Sequence, residues 1–381
     1  ALPQAGEGPS LIWPLQGIVF MPRRPLRVAP GFALVAALSL VLAGFPQGAG
    51  AQSVDQLSDR VMGFVSVPEQ VVAITGVRLV DGTGAPTRTG QTIVIREGRI
   101  AAVGPDGTVT VPSGARTIDG AGHTVTPGWV MLHEHMFYPA GEGRYNTHQV
   151  SFPPLYIAGG ATTIRTGGSL ETYTDLRIDR EIRAGNLVGP RMDVTAPYLE
   201  GPGGFAYAFP VLATPEETVA HVNFWADQGA TSYKAYNLID RASLKAGIDA
   251  AHARGLKVTG HLCSITYREA VEMGIDNLEH GFFAATDWVA NKEPDSCPRG
   301  ANQTYLELEL DSPAFTDLVD LMVERQVALT STLNVVERRV AGRPPLHPWA
   351  LEAMVPQRAE AVGAYTTRER DPDSPMQVYL Q

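Results

Sequence analysis

The sequence predicts an α/β protein: a (β/α)8 TIM-type barrel whose eighth unit is missing, preceded by a small N-terminal β-sandwich domain. Three observations predict it. Short β-rich runs, separated by turn clusters, crowd residues 70–126. After Pro127-Gly128 the rhythm changes, and apolar strand-like runs alternate with amphipathic helical stretches. The alternation then repeats seven times in one direction, which means parallel strands joined by right-handed crossovers. Seven units in succession are too regular for most open sheets and fit an eight-fold barrel lacking its last unit.

In the β-rich part the runs are Val71-Val72-Ala73-Ile74, Thr92-Ile93-Val94-Ile95 and Ile100-Ala101-Ala102-Val103. Turn clusters Asp81-Gly82-Thr83-Gly84, Glu97-Gly98 and Asp106-Gly107 divide them, the spacing of a small sandwich or barrel over residues 52–126. In the part from 127 to 381 the expected strands are 129–135, 161–165, 191–196, 232–236, 257–261, 277–281 and 327–333. Helical periodicity, with apolar residues near i, i+3, i+4 and i+7, marks 215–227, 242–253, 267–273 and 314–325. After Leu333 the chain passes Arg338-Arg339 and Pro344-Pro345, reaches a helix near 349–354 and runs out in a polar, Pro-containing tail.

Composition narrows the partners. Of 381 residues, 44% are hydrophobic and 18% charged, which suits a globular protein with a large core. A formal net charge of −10 argues against nucleic acid, whose phosphates need a basic surface. Residues 1–51 read as an upstream extension and a signal peptide. Met21 is a plausible start, Arg23, Arg24 and Arg27 form a basic region, and the apolar run 32–42 is too short to span a bilayer. Ala49-Gly50-Ala51 is a small-x-small cleavage signal. The chain is therefore expected in the periplasm or secreted, with no stable membrane association after cleavage before Gln52; an uncleaved anchor is the alternative. Outside the cytoplasm Cys263 and Cys297 can form a disulfide, with buried free thiols an equal alternative.

In a parallel barrel the chemistry sits at the C-terminal ends of the strands. Four of the nine histidines fall there: His133 and His135, His261, and His280. Strand side chains alternate with period two, so His133 and His135 point into the barrel mouth while Glu134 faces the helix layer. Two converging imidazoles make half a zinc site, although an isolated H-x-H is a weak signal. Lys234 ends the fourth strand. A lysine buried there loses its proton readily and as a free amine can take up CO2 to form a carbamate; a side chain snorkelling to solvent is the plainer alternative. His123, His148, His221, His252 and His347 fall in loops or helices and read as structural. Arg165, Tyr233 and Gly203 are candidate substrate contacts, and Tyr236 a candidate catalytic group, because loops and strand ends at the mouth carry function.

Taken jointly, H-x-H on the first strand, Lys on the fourth and His on the fifth and sixth resemble the amidohydrolase superfamily. Thr126-Pro127-Gly128 before the first strand, Gly76-Val77-Arg78-Leu79-Val80-Asp81-Gly82 and Glu97-Gly98-Arg99-Ile100-Ala101-Ala102-Val103-Gly104 add to the likeness. It runs from about residue 70 to about 335 and is nearest to the imidazolonepropionase-related and prolidase-like exported branch. The resemblance implies that His133 and His135 hold one metal, His261 and His280 a second, and carboxylated Lys234 bridges them. It implies two divalent ions per chain, zinc first and manganese or cobalt open. Attack by metal-activated water on a small amide, dipeptide or cyclic amide is implied too, with Tyr236 polarising the carbonyl. The family's eighth-strand aspartate has no counterpart: Asp371 and Asp373 lie in a Pro-rich turn sequence. A truncated reading frame is the simplest expectation, with strand edges left open to swapping, aggregation or a homo-oligomer. Two alternatives stay open: an inactive fragment or binding scaffold, and a mononuclear imidazolone- or deaminase-type hydrolase, against which Lys234 speaks.

Overall fold

The computed structural model describes residues 54–141, 144–204, 208–301, 304, 308–337, 340, 343–352, 354–367, 371 and 377. The expected leader, Arg338-Arg339 and Asp373 lie outside the described residues. After a single turn, α1 (Asp59–Met62), capped by the Ser58 side chain, five strands form one sheet. They are β1 (Val71–Leu79), β2 (Arg88–Arg96), β3 (Arg99–Pro105), β4 (Arg116–Asp119) and β5 (Thr124–Val125). The order is β3-β2-β1-β4, with β5 also on β1. Glu97 and Gly98 link β2 to β3 with φ of 50° and 71°, the paired left-handed conformation that two-residue hairpins need. Val77, Leu79 and Ile93 form a small core against Ile74, Ile95 and Val125. Where a sandwich of two sheets is expected, the described residues carry one. All described residues fall within one compact unit, 51–381.

The parallel part follows the expected alternation. β6 (Trp129–Glu134) leads into a hairpin of β7 (Phe137–Gly141) and β8 (Arg144–Thr147). Then come α2 (Phe152–Ala158), β9 (Ala161–Thr166), α3 (Thr172–Arg183), β10 (Arg191–Asp193), α4 (Pro215–Gln228), β11 (Ser232–Ala235) and α5 (Arg241–Ala253). β12 (Lys257–Gly260), α6 (Tyr267–Met273), β13 (Asn277–Glu279), α7 (Pro313–Glu324) and β14 (Ala328–Thr330) complete the repeat. The strands pair in parallel as β6-β9-β10 and β11-β12-β13-β14. Parallel bridges Thr195↔Ser232 and Leu199↔Ala235 join the two sets, so seven strands stand side by side in chain order. Local chemistry sets the helix starts. Thr214 caps α4 just before Pro215, Asp240 caps α5, and Thr266 with Glu269 closes a reciprocal capping box on α6. Leu244, Ile248, Val258, Ile275, Leu278 and Leu318 seal the helices to β11–β14. Ile164, Leu176, Ile182 and Met192 do the same around β9 and β10.

Three expectations change. Leu333 does not end the seventh strand: β14 stops at Thr330, and Leu333 opens α8 (Leu333–Glu337). Beyond α9 (Pro348–Glu352) the chain is not only polar tail, because Pro356–Thr367 forms a further helix, α10. The hairpin after β6 and helices α2 and α3 are additions. Among the described residues no helix is long and apolar enough to cross a membrane.

Candidate metal centre

The strand ends bring the four singled-out histidines and Lys234 together. The ring centroids of His133 and His135 lie 5.2 Å apart, those of His133 and His280 4.6 Å, and those of His261 and His280 4.5 Å. Lys234 lies fully inside, 1% exposed, with Nζ 3.2 Å from His133 Nε2. Tyr198 and Tyr236 flank it, their ring centroids 5.7 and 5.8 Å from Nζ. The next residue after β9 makes the packing possible: a Cβ on Gly167 would come within 2.7 Å of the His133 ring, so glycine leaves the imidazole its place. Glu134 turns the other way and meets Tyr156 of α2.

Burial dominates the electrostatics. It lowers the pKa of His133, His135, His261 and His280, with the charge of Lys234 adding to it in each. His261 falls to about 3. All four rings are therefore neutral near pH 7, each with one nitrogen lone pair. Burial also pulls Lys234 down to about 7, against the opposing charge of Glu279, so much of it is free amine at neutral pH. Glu279 is fully buried. Burial alone would raise its carboxyl; the hydrogen bond to His133 and the charges of Lys234, His133 and Arg165 hold it well below the usual range. Its Oε2 stands 2.7 Å from His133 Nδ1, and its Oε1 accepts from Arg165 Nη2 at 2.5 Å.

The other expected residues divide. Tyr236 is in place, its ring 4.8 Å from that of His261. Gly203 sits exposed in the turn after Glu200 with φ of 93°. The Tyr233 side chain is fully buried on the helix side of β11, where its hydroxyl donates to Val222 O at 2.5 Å. Lys234 faces the cluster, so the pleat turns Tyr233 away from it. Arg165 points to Glu279 and to Leu132 O, which its Nε meets at 2.8 Å. Of the histidines outside the strand ends, His221 Nε2 lies 3.2 Å from Pro197 O and His252 Nε2 lies 2.9 Å from Asp276. Sequence reasoning missed Glu279, Tyr198 and Thr332, whose Oγ1 lies 3.0 Å from His280 Nδ1. The uncertain cysteine pair is a disulfide, Cys263–Cys297. It borders a cavity of about 260 Å³ that reaches His261 and is lined by Leu262, Phe283, Ala284 and Ala301 among others.

Among the described residues no trio of His, Cys, Asp or Glu side chains forms a ready coordination sphere. In donor chemistry the cluster nevertheless fits a divalent cation of the zinc type: four neutral imidazoles surround one lysine that can lose its proton.

No family model matches the chain. Over 85 residues it is 34% identical to an enamidase of Eubacterium barkeri, a stretch covering 22% of each protein. Over 94 residues it is 35% identical to a dihydroorotase of Anaeromyxobacter dehalogenans (strain 2CP-C), covering 25% of this chain and 21% of that one. These matches thus span about a fifth of the curated relatives' length. In fold it is similar to a solved Xaa-Pro dipeptidase with bound methionine in the active site, with a TM-score of 0.53 and 19% identity over 78% of this chain and 74% of the other. The sequence matches are local, and the likeness to the dipeptidase is one of fold.

Proposed function

We propose that this chain is a divalent-metal-dependent hydrolase of carbon–nitrogen bonds, built on a (β/α)8-type barrel to which the seven parallel strands belong. The observation that carries this is the ring of neutral imidazoles around a buried lysine amine. His133 and His135 would hold one cation and His261 and His280 a second. Lys234 would bridge them as a carbamate: its neutral Nζ bonds the carbon of dissolved CO2 and releases a proton to solvent, and its lowered pKa supplies the free amine this needs. A bound cation of this kind supplies a Lewis acid for the carbonyl and activates water. Tyr236 would hydrogen-bond the carbonyl oxygen; burial raises its pKa, so its hydroxyl keeps the proton it donates. The cavity beside His261 would take an apolar group of the substrate. The fold shared with a dipeptidase and the short matches to an enamidase and a dihydroorotase support a small substrate, either a dipeptide, an N-acyl amino acid or a cyclic amide. Export to the periplasm or medium remains part of the proposal, resting on residues 1–51.

The test is hydrolysis of those three substrate classes by the full chain, read as released amine, after chelation and after zinc, manganese or cobalt is restored. The proposal expects turnover of at least one class with metal, and none after chelation or in His261→Ala. Turnover that survives complete chelation, or no turnover of any class by the metal-loaded protein, would contradict it.

A further inference from the structure

Glu279 and His280 are consecutive, yet both reach His133: the carboxylate at 2.7 Å, the His280 ring centroid at 4.6 Å. On a regular strand neighbours point to opposite faces. Here His280 adopts φ of 69°, the left-handed region that non-glycine residues seldom occupy, and the alternation breaks. The kink is held from both sides. The buried Tyr267 hydroxyl stands 2.9 Å from both Glu279 O and Gly281 O, and Thr332 Oγ1 meets His280 Nδ1. Strain kept in place by surrounding bonds marks a position whose geometry matters.

The carboxylate set there closes a ring of contacts. It takes His133 Nδ1 on one oxygen and Arg165 Nη2 on the other, and Arg165 Nε donates to the carbonyl of Leu132, the residue before His133. An ionised carboxylate only accepts, so the proton of neutral His133 sits on Nδ1. The lone pair is then on Nε2, the nitrogen facing Lys234 Nζ at 3.2 Å. We propose that Glu279, itself held by Arg165, is a positioning residue of the centre: it fixes His133 as the Nδ1–H tautomer and turns its Nε2 lone pair toward the cation site beside Lys234. The inference rests on the reading of His133 as a metal ligand. It also makes Arg165 part of the scaffold and not a substrate contact.

The full chain, metal-free and labelled with ¹⁵N-histidine, tests it at neutral pH, with the His133 signals assigned by their loss in His133→Gln. The wild type should show protonated Nδ1 and a bare Nε2. In Glu279→Leu/Arg165→Met, which removes both charges together, the Nε2–H tautomer should appear. Zinc affinity, measured by competition with a chromophoric chelator, should fall roughly 10- to 100-fold, the usual effect of losing a partner that orients a ligand. Should the double variant not fold, Glu279→Gln carries the same readouts, because its amide can donate to Nδ1 and populate the second tautomer. An unchanged tautomer in a folded variant overturns the proposal, as does zinc affinity within about twofold of wild type. If wild type binds no zinc, the metal reading fails, while the tautomer comparison still reports separately on what Glu279 does.

Discussion

At the scale of single residues, burial without full compensation sets the chemistry. Lys234 is enclosed, and its opposite charge, Glu279, is already shared with Arg165 and His133, so desolvation wins and the amine is partly free near pH 7. Glu200 shows the same balance in a carboxyl. It is 1% exposed, and burial lifts its pKa from 4.5 to about 7 although its Oε1 accepts from Leu238 N at 2.7 Å and Gly201 N at 3.0 Å. A raised folded-state pKa means a stabilising contribution that is whole below about pH 4.5 and lost as pH rises through about 7. Glu200→Gln keeps the accepting oxygen and removes the charge. Melting curves at pH 5 and pH 8 should therefore show wild type losing stability relative to the variant as pH rises, by up to about 3 kcal/mol. A constant difference between the two proteins across that range would mean Glu200 does not titrate there.

At the scale of elements, the Cys263–Cys297 bond ties the segment after His261 to a loop 34 residues on. Chain-entropy accounting gives such a closure about 3–4 kcal/mol. Reduction, or Cys263→Ser/Cys297→Ser, should lower the melting temperature by roughly 5–10 °C; an unmoved transition would show that the bond constrains nothing the fold does not already hold. How far the elements could be read beforehand follows from their physics. α6 was legible in full because Thr266 and Glu269 mark its start and Gly274 its end. The seven parallel strands were legible as apolar runs, with ends displaced by one to three residues. α10 was not, since Pro356–Thr367 shows no strong apolar stripe. In the site, His133, His135, Lys234, His261 and His280 could be found because each terminates a strand run. Glu279 could not: with His280 taken as the inward residue, alternation assigns its neighbour to the outer face, whereas Glu279 alternates with Leu278 and points inward, and His280, with φ of 69°, is the residue that breaks the alternation. Applied strictly, the same alternation would have excluded Tyr233, whose neighbour Lys234 already faced the centre.

At the scale of the molecule, seven parallel strands gather residues from 133 to 280 into one small volume, and no local segment holds that site by itself. Among the described residues β6 pairs with β9 alone and exposes Trp129, Val130 and Leu132 by 59%, 60% and 54%. An apolar edge strand of this kind is where a sheet invites further pairing. The number of metal ions per chain, counted by elemental mass spectrometry on the folded chain and on Lys234→Ala, tests the two-metal centre. About two per wild-type chain are expected, with loss of most of them in the variant, because the bridging group is gone. A folded wild type without metal, or equal metal in both proteins, would contradict it.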